Sequence, residues 1–116
     1  MRAARTDDTD WKTIVTLYDK LKAIRPSPIV ALNRAIAVAQ DQGPDRGIEE
    51  INAITDSDRL SHYPFYAAAL GELELRRGRR EVARQHFRAA LSRARNPMEH
   101  EFFNQRILAC ASEDVQ

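Results

Sequence analysis

The spacing of apolar residues is the feature that most limits how this chain can fold. Apolar side chains recur every three or four residues, whereas the alternation with a period of two that marks β-strands is nearly absent. Proline and glycine residues separate the periodic segments. The sequence therefore predicts an all-α protein of about six helices. Because short turns join the helices, consecutive helices should be antiparallel.

Capping residues and prolines predict where the helices begin and end. A side chain that accepts a backbone N–H suits the position before a helix, and proline suits the first helical position. On this basis the helices begin at or next to these residues: Thr9, Ser27, Pro44, His62, Arg79 and Pro97. Residues 56–61 should form a polar connector, and Gly78 should end the fourth helix in a left-handed cap. We expect a flexible segment at 1–9, one helical domain at 10–111 and a flexible tail at 112–116.

Composition excludes several classes of protein. Of 116 residues, 43% are apolar, which is enough for the core of one domain. The formal net charge of +1 gives no general attraction to nucleic acid or to an anionic membrane. Cys110 is the only cysteine, so an intramolecular disulfide is excluded and a reducing cytoplasm is expected. No apolar run approaches the roughly 20 residues of a membrane span.

A repeat in the second half resembles the tetratricopeptide pattern. The segment 64–97 is 34 residues long, which is the period of that repeat. Small residues and one aromatic residue follow the pattern within it: Gly71, Gly78, Ala83, Phe87 and Ala90. Glu74 departs from the pattern, because a large aromatic residue is expected there. We predict a tetratricopeptide-like, right-handed stack of antiparallel helical hairpins. The alternative is a generic array of α-hairpins with chance matches.

The first helix lacks an evident partner in the sequence. It matches the second helix of a repeat, and nothing before Thr9 supplies the first. The end of a helical stack usually has a polar outer face, whereas Trp11, Val15 and Tyr18 give this helix more than one apolar side. We interpret the chain as the C-terminal part of something longer. A face that folds inwards, or one covered in a homodimer, is the alternative.

Two segments resemble a known family. Residues 10–19 read Asp-Trp-Lys-Thr-Ile-Val-Thr-Leu-Tyr-Asp, and residues 26–39 read Pro-Ser-Pro-Ile-Val-Ala-Leu-Asn-Arg-Ala-Ile-Ala-Val-Ala, with Gly43-Pro44 soon after. These runs resemble the C-terminal tetratricopeptide-like extension of bacterial extracytoplasmic-function (ECF) sigma factors, over roughly residues 8–108. The resemblance implies a regulatory domain that contacts the sigma core, RNA polymerase or another protein. The sigma regions themselves are absent from this sequence.

The sequence contains no pattern that predicts catalysis or metal binding. His62, His86 and His100 lack the spacing of zinc ligands, and Cys110 has no nearby histidine to activate it. Motifs for phosphate binding or a nucleophilic serine are missing. We therefore expect neither an enzyme nor a cofactor. Two alternatives to the sigma-factor role stay open: a free-standing peptide-binding adaptor, and an accessory helical domain of an enzyme.

The first helices of the predicted repeats carry candidate binding residues. This set, which we call the predicted groove, contains Asn33, Arg34, Phe65, Ala68, Glu72 and Arg76. Asn33 can bond a peptide backbone, and Arg34 can pair with a carboxylate. Alternatively, Asn33 bonds a neighbouring loop and Arg34 pairs with Asp19 or another acid.

A cluster of arginines forms the second candidate surface. Eight arginines fall between residues 76 and 95, and only Glu81 opposes them there. Arg80, Arg84 and Arg88 are spaced four apart and share one helix face, which we call the basic stripe. The sequence favours a face that is solvated, or that is paired internally with acids such as Glu99 and Glu101. The functional alternative is an acidic protein partner, and nucleic acid suits the stripe less well than either.

Overall fold

The computed structural model of the protein describes residues 9–112, which form six α-helices. In chain order the helices are α1 (Trp11–Ile24), α2 (Pro28–Gln42), α3 (Pro44–Asn52), α4 (Pro64–Arg76), α5 (Arg80–Ser92) and α6 (Pro97–Ser112). No β-strand occurs in this part of the chain, so the prediction of an all-α protein with six helices is confirmed. The flexible segments predicted at 1–9 and 112–116 lie outside the described residues, except for Thr9 and for Ser112 at the end of α6.

Local capping explains the helix starts. The Asp10 carboxylate accepts a hydrogen bond from the Thr13 backbone N–H at 3.2 Å, and the Ser27 hydroxyl accepts one from the Ile29 N–H at 3.2 Å. Four helices, α2, α3, α4 and α6, begin with a proline, whose fixed φ suits the first helical position. Gly78 has a φ of +84°, so the left-handed turn predicted after the fourth helix is confirmed.

The connector before α4 differs from its prediction. The polar segment contains a short 3₁₀ turn, Ser57–Leu60, and Leu60 is almost completely buried in the core. The fourth helix begins at Pro64 instead of residue 62, because the proline occupies its first position. The connector therefore anchors the chain between α3 and α4.

The core consists of two clusters that share α4. The first lies between α2, α3 and α4 and contains Leu32, Ala35, Ala39, Ile48, Ile51, Leu60 and Leu73. The second lies between α4, α5 and α6 and contains Ala68, Ala83, Phe87, Ala90, Phe103 and Cys110. Most contacts join helices that follow one another in sequence, and α1 contributes no buried residue. Stability is therefore built from neighbouring pairs of helices.

Small residues bring the paired helices close together. A Cβ atom placed on Gly71 of α4 would lie 3.0 Å from the Phe87 ring of α5. On α3, a Cβ atom at Gly47 would overlap the Cβ atom of Ala39 on α2. Both pairs therefore depend on the missing glycine side chain. Within residues 9–112, none of the helices combines the length and apolar character of a bilayer-spanning segment.

Candidate interaction surfaces

Arg34 connects three helices from within the predicted groove. Its Nε donates to Asp19 of α1 at 2.6 Å, and its Nη1 donates to Glu50 of α3 at 2.6 Å. Burial lowers the pKa of Arg34, but the hydrogen bonds to the two carboxylates outweigh it and raise the pKa above its usual value. Arg34 therefore holds helices together, which was the alternative stated from the sequence.

Asn33, the neighbour of Arg34, is exposed on α2. Its side chain makes no hydrogen bond with another residue in the range 9–112, neither to a loop nor to a helix. Its amide is accessible to a partner, so a binding role for Asn33 stays a prediction.

Part of the predicted groove on α4 is covered by α6. The Phe65 ring lies 5.5 Å from the Phe103 ring, and the Glu72 carboxylate accepts two hydrogen bonds from Arg106 at 2.7 and 2.8 Å. Ala68 is only 5% exposed and belongs to the second core cluster. The assignment of Ala68 to an accessible groove is therefore wrong, because Phe103 packs in the same cluster. Arg76, at the end of α4, is exposed and has no ion-pair partner among the described residues.

Two arginines near the second core contact aromatic rings, which the sequence did not predict. The Arg95 guanidinium lies 5.6 Å from the centre of the Tyr63 ring, and that of Arg106 lies 5.6 Å from the centre of the Phe87 ring. Arg95 also pairs with Glu99 at 2.6 Å, and its hydrogen bonds lower the pKa of Glu99. Glu99 follows Arg95 by four residues, so this ion pair is local in sequence. Contacts between distant arginines and aromatic rings have no such local signal.

The basic stripe is only partly available to a partner. Arg84 pairs with Glu81 on α5, and hydrogen bonds from Arg84 and Gln85 lower the pKa of Glu81. Arg80 and Arg84 are half-buried, whereas Arg88 is exposed and has no ion-pair partner in residues 9–112.

Neighbouring arginines of the same cluster are engaged with acids of the protein itself. Arg77 lies 2.9 Å from Asp45 of α3, and both Arg77 and Arg79 lie within 4 Å of the buried Glu74 carboxylate. Internal pairing, which the sequence favoured together with a solvated face, is therefore correct for much of the cluster. Glu101 accepts from Gln105 instead of from an arginine. The described part of the chain contains no group of three His, Cys, Asp or Glu residues placed to hold a metal ion.

Comparison with known proteins found one curated relative of this chain. An uncharacterized protein of Rhizobium meliloti (strain 1021) is 36% identical over 112 residues, which cover 97% of this chain and 26% of that protein. The chain thus spans about a quarter of the length of the curated relative it matches. No protein-family profile matches the chain. No solved structure is significantly similar to it.

Proposed function

We propose that this chain is a tetratricopeptide-like, right-handed stack of helical hairpins that acts as a regulatory protein-interaction domain of a bacterial ECF-type sigma factor. The observation that carries the proposal is the correspondence between two successive helix pairs. Counted from the proline that opens each pair, Ala35 corresponds to Gly71 and Ile51 corresponds to Phe87, and all four residues are buried. Pairs built alike can nest side by side, as in helical repeat proteins.

The surface formed by the first helix of each pair suits a protein partner. The helices that open each pair, α2 and α4, together with α6, present a row of side chains to one extended segment. Asn33 of α2 and Arg76 of α4 are both exposed, and neither side chain is engaged by another described residue, so we assign both to this row. Amide and guanidinium groups bind peptide backbone and carboxylates. The sigma core and RNA polymerase are the proposed partners, and the proposed location is the cytoplasm, where both act.

The Rhizobium relative supports a role as one module of a larger protein, because a region like this chain makes up about a quarter of it. The resemblance of residues 10–19 and 26–39 to the sigma-factor extension supports the regulatory class. Regulation then consists of contacts that change how the sigma core and the polymerase meet.

A binding experiment tests this function. The purified chain is immobilised, and the analytes are RNA polymerase core enzyme and an ECF sigma core without its extension, both from one bacterium. We expect saturable binding to at least one analyte, weakened about tenfold or more by Asn33→Ala combined with Arg76→Glu. Lys20→Glu is the matched control, since Lys20 is an exposed cation of α1 outside the row.

Two results would contradict the proposal in different ways. Absence of binding to either analyte removes the sigma-factor role. Binding that the double variant leaves unchanged shows that Asn33 and Arg76 lie outside the interface.

A further inference from the structure

A cleft of about 300 Å³ lies between the N-terminal half of α4 and the C-terminal half of α5. Ala67 and Leu70 of α4 and Ala89 of α5 form its apolar wall. Tyr66 and Arg93 are among its polar lining residues. Apolar walls with a few polar groups are typical of sites for small ligands.

The chain that enters α4 forms one edge of this cleft. Ser61, which follows the 3₁₀ turn, lines the cleft together with Tyr63, whereas no residue of α3 does. The cleft is therefore bounded by the start of α4, the residues just before it and the end of α5.

Arg93 is a half-buried cation without an acidic partner. Its Nε atom is buried without a hydrogen bond, and its Nη1 makes only a long contact of 3.5 Å with the Ala89 carbonyl oxygen. No carboxylate of residues 9–112 lies within ion-pair distance of it. A buried polar atom without a partner costs free energy, which an anion in the cleft would recover.

The other polar groups of the cleft are also available. The side chains of Ser61, Tyr66 and His86 make no hydrogen bond with another residue of the described range, and no acid lines the cleft. Burial lowers the pKa of His86 and outweighs the opposite effect of the Glu74 carboxylate, so the neutral ring is favoured. The charge of the cleft therefore comes from Arg93 alone, which suits one negative charge.

We propose that this cleft binds a small monocarboxylate with an apolar body. The carboxylate pairs with Arg93, and the Ser61 and Tyr66 hydroxyls can donate to it. The apolar body lies against Leu70, Ala67 and Ala89. The site is separate from the row formed by Asn33 and Arg76, so it is independent of the proposed sigma-factor contacts and adds a small-molecule input to this domain.

Titration of the isotope-labelled chain with phenylacetate tests the proposal by NMR. Up to about 10 mM acid, we expect saturable shifts confined to the backbone amides of 61–70 and 86–93, and no such shifts with the neutral phenylacetamide. Arg93→Gln should weaken binding about tenfold or more. Arg88→Gln is the matched control, because Arg88 lies on α5, which ends just before Arg93, and it is exposed and does not line the cleft.

A second variant keeps the test decisive if Arg93→Gln does not fold. Ala89→Leu places a larger side chain in the cleft and leaves Arg93 unchanged. It should therefore abolish the chemical-shift changes. Any of three results overturns the proposal: no saturable shifts with phenylacetate or 3-methylbutanoate, equal shifts with the amide, or binding of N-acetylphenylalanine alone. The last result would mean that the cleft takes a peptide C-terminus instead of a small acid.

Discussion

Arg34 shows how a single polar residue can set the position of α1. The residues of α1 are at most half-buried, and the ion pairs of Arg34 join this helix to α2 and α3. The Arg34 side chain is 22% exposed, so its pairs are less screened than surface ones. The geometry also needs a guanidinium, because two carboxylates on different helices are contacted by different nitrogen atoms.

We expect Arg34→Gln to lower the free energy of unfolding by about 1–2 kcal/mol, since it removes two charge-assisted hydrogen bonds. Urea unfolding followed by circular dichroism measures the change. Arg46→Gln is the matched control: Arg46 pairs with Glu49 and Glu50 on its own helix, so its loss should cost less than the loss of Arg34. Equal losses for the two variants would show that Arg34 does not join the helices.

At the scale of elements, Gly47 controls how closely α3 approaches α2. A methyl group at Gly47 would overlap the Cβ atom of Ala39, which is attached directly to the backbone and can move only with its helix. At Gly71 the neighbour is the Phe87 ring, 3.0 Å away, which can tilt about its own bonds. The α2–α3 contact should therefore tolerate an added methyl group less well than the α4–α5 contact.

We expect Gly47→Ala to destabilise the protein by about 1–3 kcal/mol through overpacking. This loss is net of the helix propensity of alanine, which is about 1 kcal/mol more favourable than that of glycine. Gly71→Ala should cost less. The reciprocal variant Ala39→Gly with Gly47→Ala moves the methyl group to the other helix and should restore most of the loss. Thermal and urea unfolding measure all three. A double variant no more stable than Gly47→Ala alone would mean that this contact is not what limits the packing.

The helix boundaries could be predicted from sequence because their signals are local. Ser27, Pro28 and Gly78 act on the residues next to them, and the structure confirms each. The burial of Leu60 had no such local signal, because a single apolar residue in a polar segment forms no periodic pattern. Whether Ala68 is buried depends on which helix packs against α4. The spacing of apolar residues along the chain does not reveal contacts between residues that are far apart in sequence.

The same limit applies to α6. Phe102 and Phe103 are adjacent, so at most one of them can face the α4–α5 pair, and the structure buries Phe103 and leaves Phe102 45% exposed. The sequence predicts a helix here but not its rotation about its own axis.

Across the whole molecule, α4 lies at the centre of the core and the outer helix α1 is the least buried. α4 contributes to both core clusters, whereas α1 packs mainly on α2 and exposes Leu17, Leu21 and Ile24, the last of them 81% exposed. When contacts join mainly neighbouring helices, an outer helix can open without the rest. The sequence analysis gave a homodimer as one way to cover the apolar side with Trp11, Val15 and Tyr18, which are half-buried in the structure, whereas Leu17, Leu21 and Ile24 are exposed.

We expect hydrogen exchange to follow this gradient, with the amides of α1 exchanging at least about a hundredfold faster than those of α4. Mass spectrometry of peptides from 11–24 and 64–76 measures the two rates. Arg34→Gln should speed exchange in α1 and leave α5 unchanged, because the ion pair to Asp19 is lost while the second core stays intact. Equal protection of α1 and α4 in dilute protein would mean that the six helices unfold as one unit. Protection of α1 that rises with protein concentration would instead show that a second copy covers the exposed leucines, which places the dimer contact on that face.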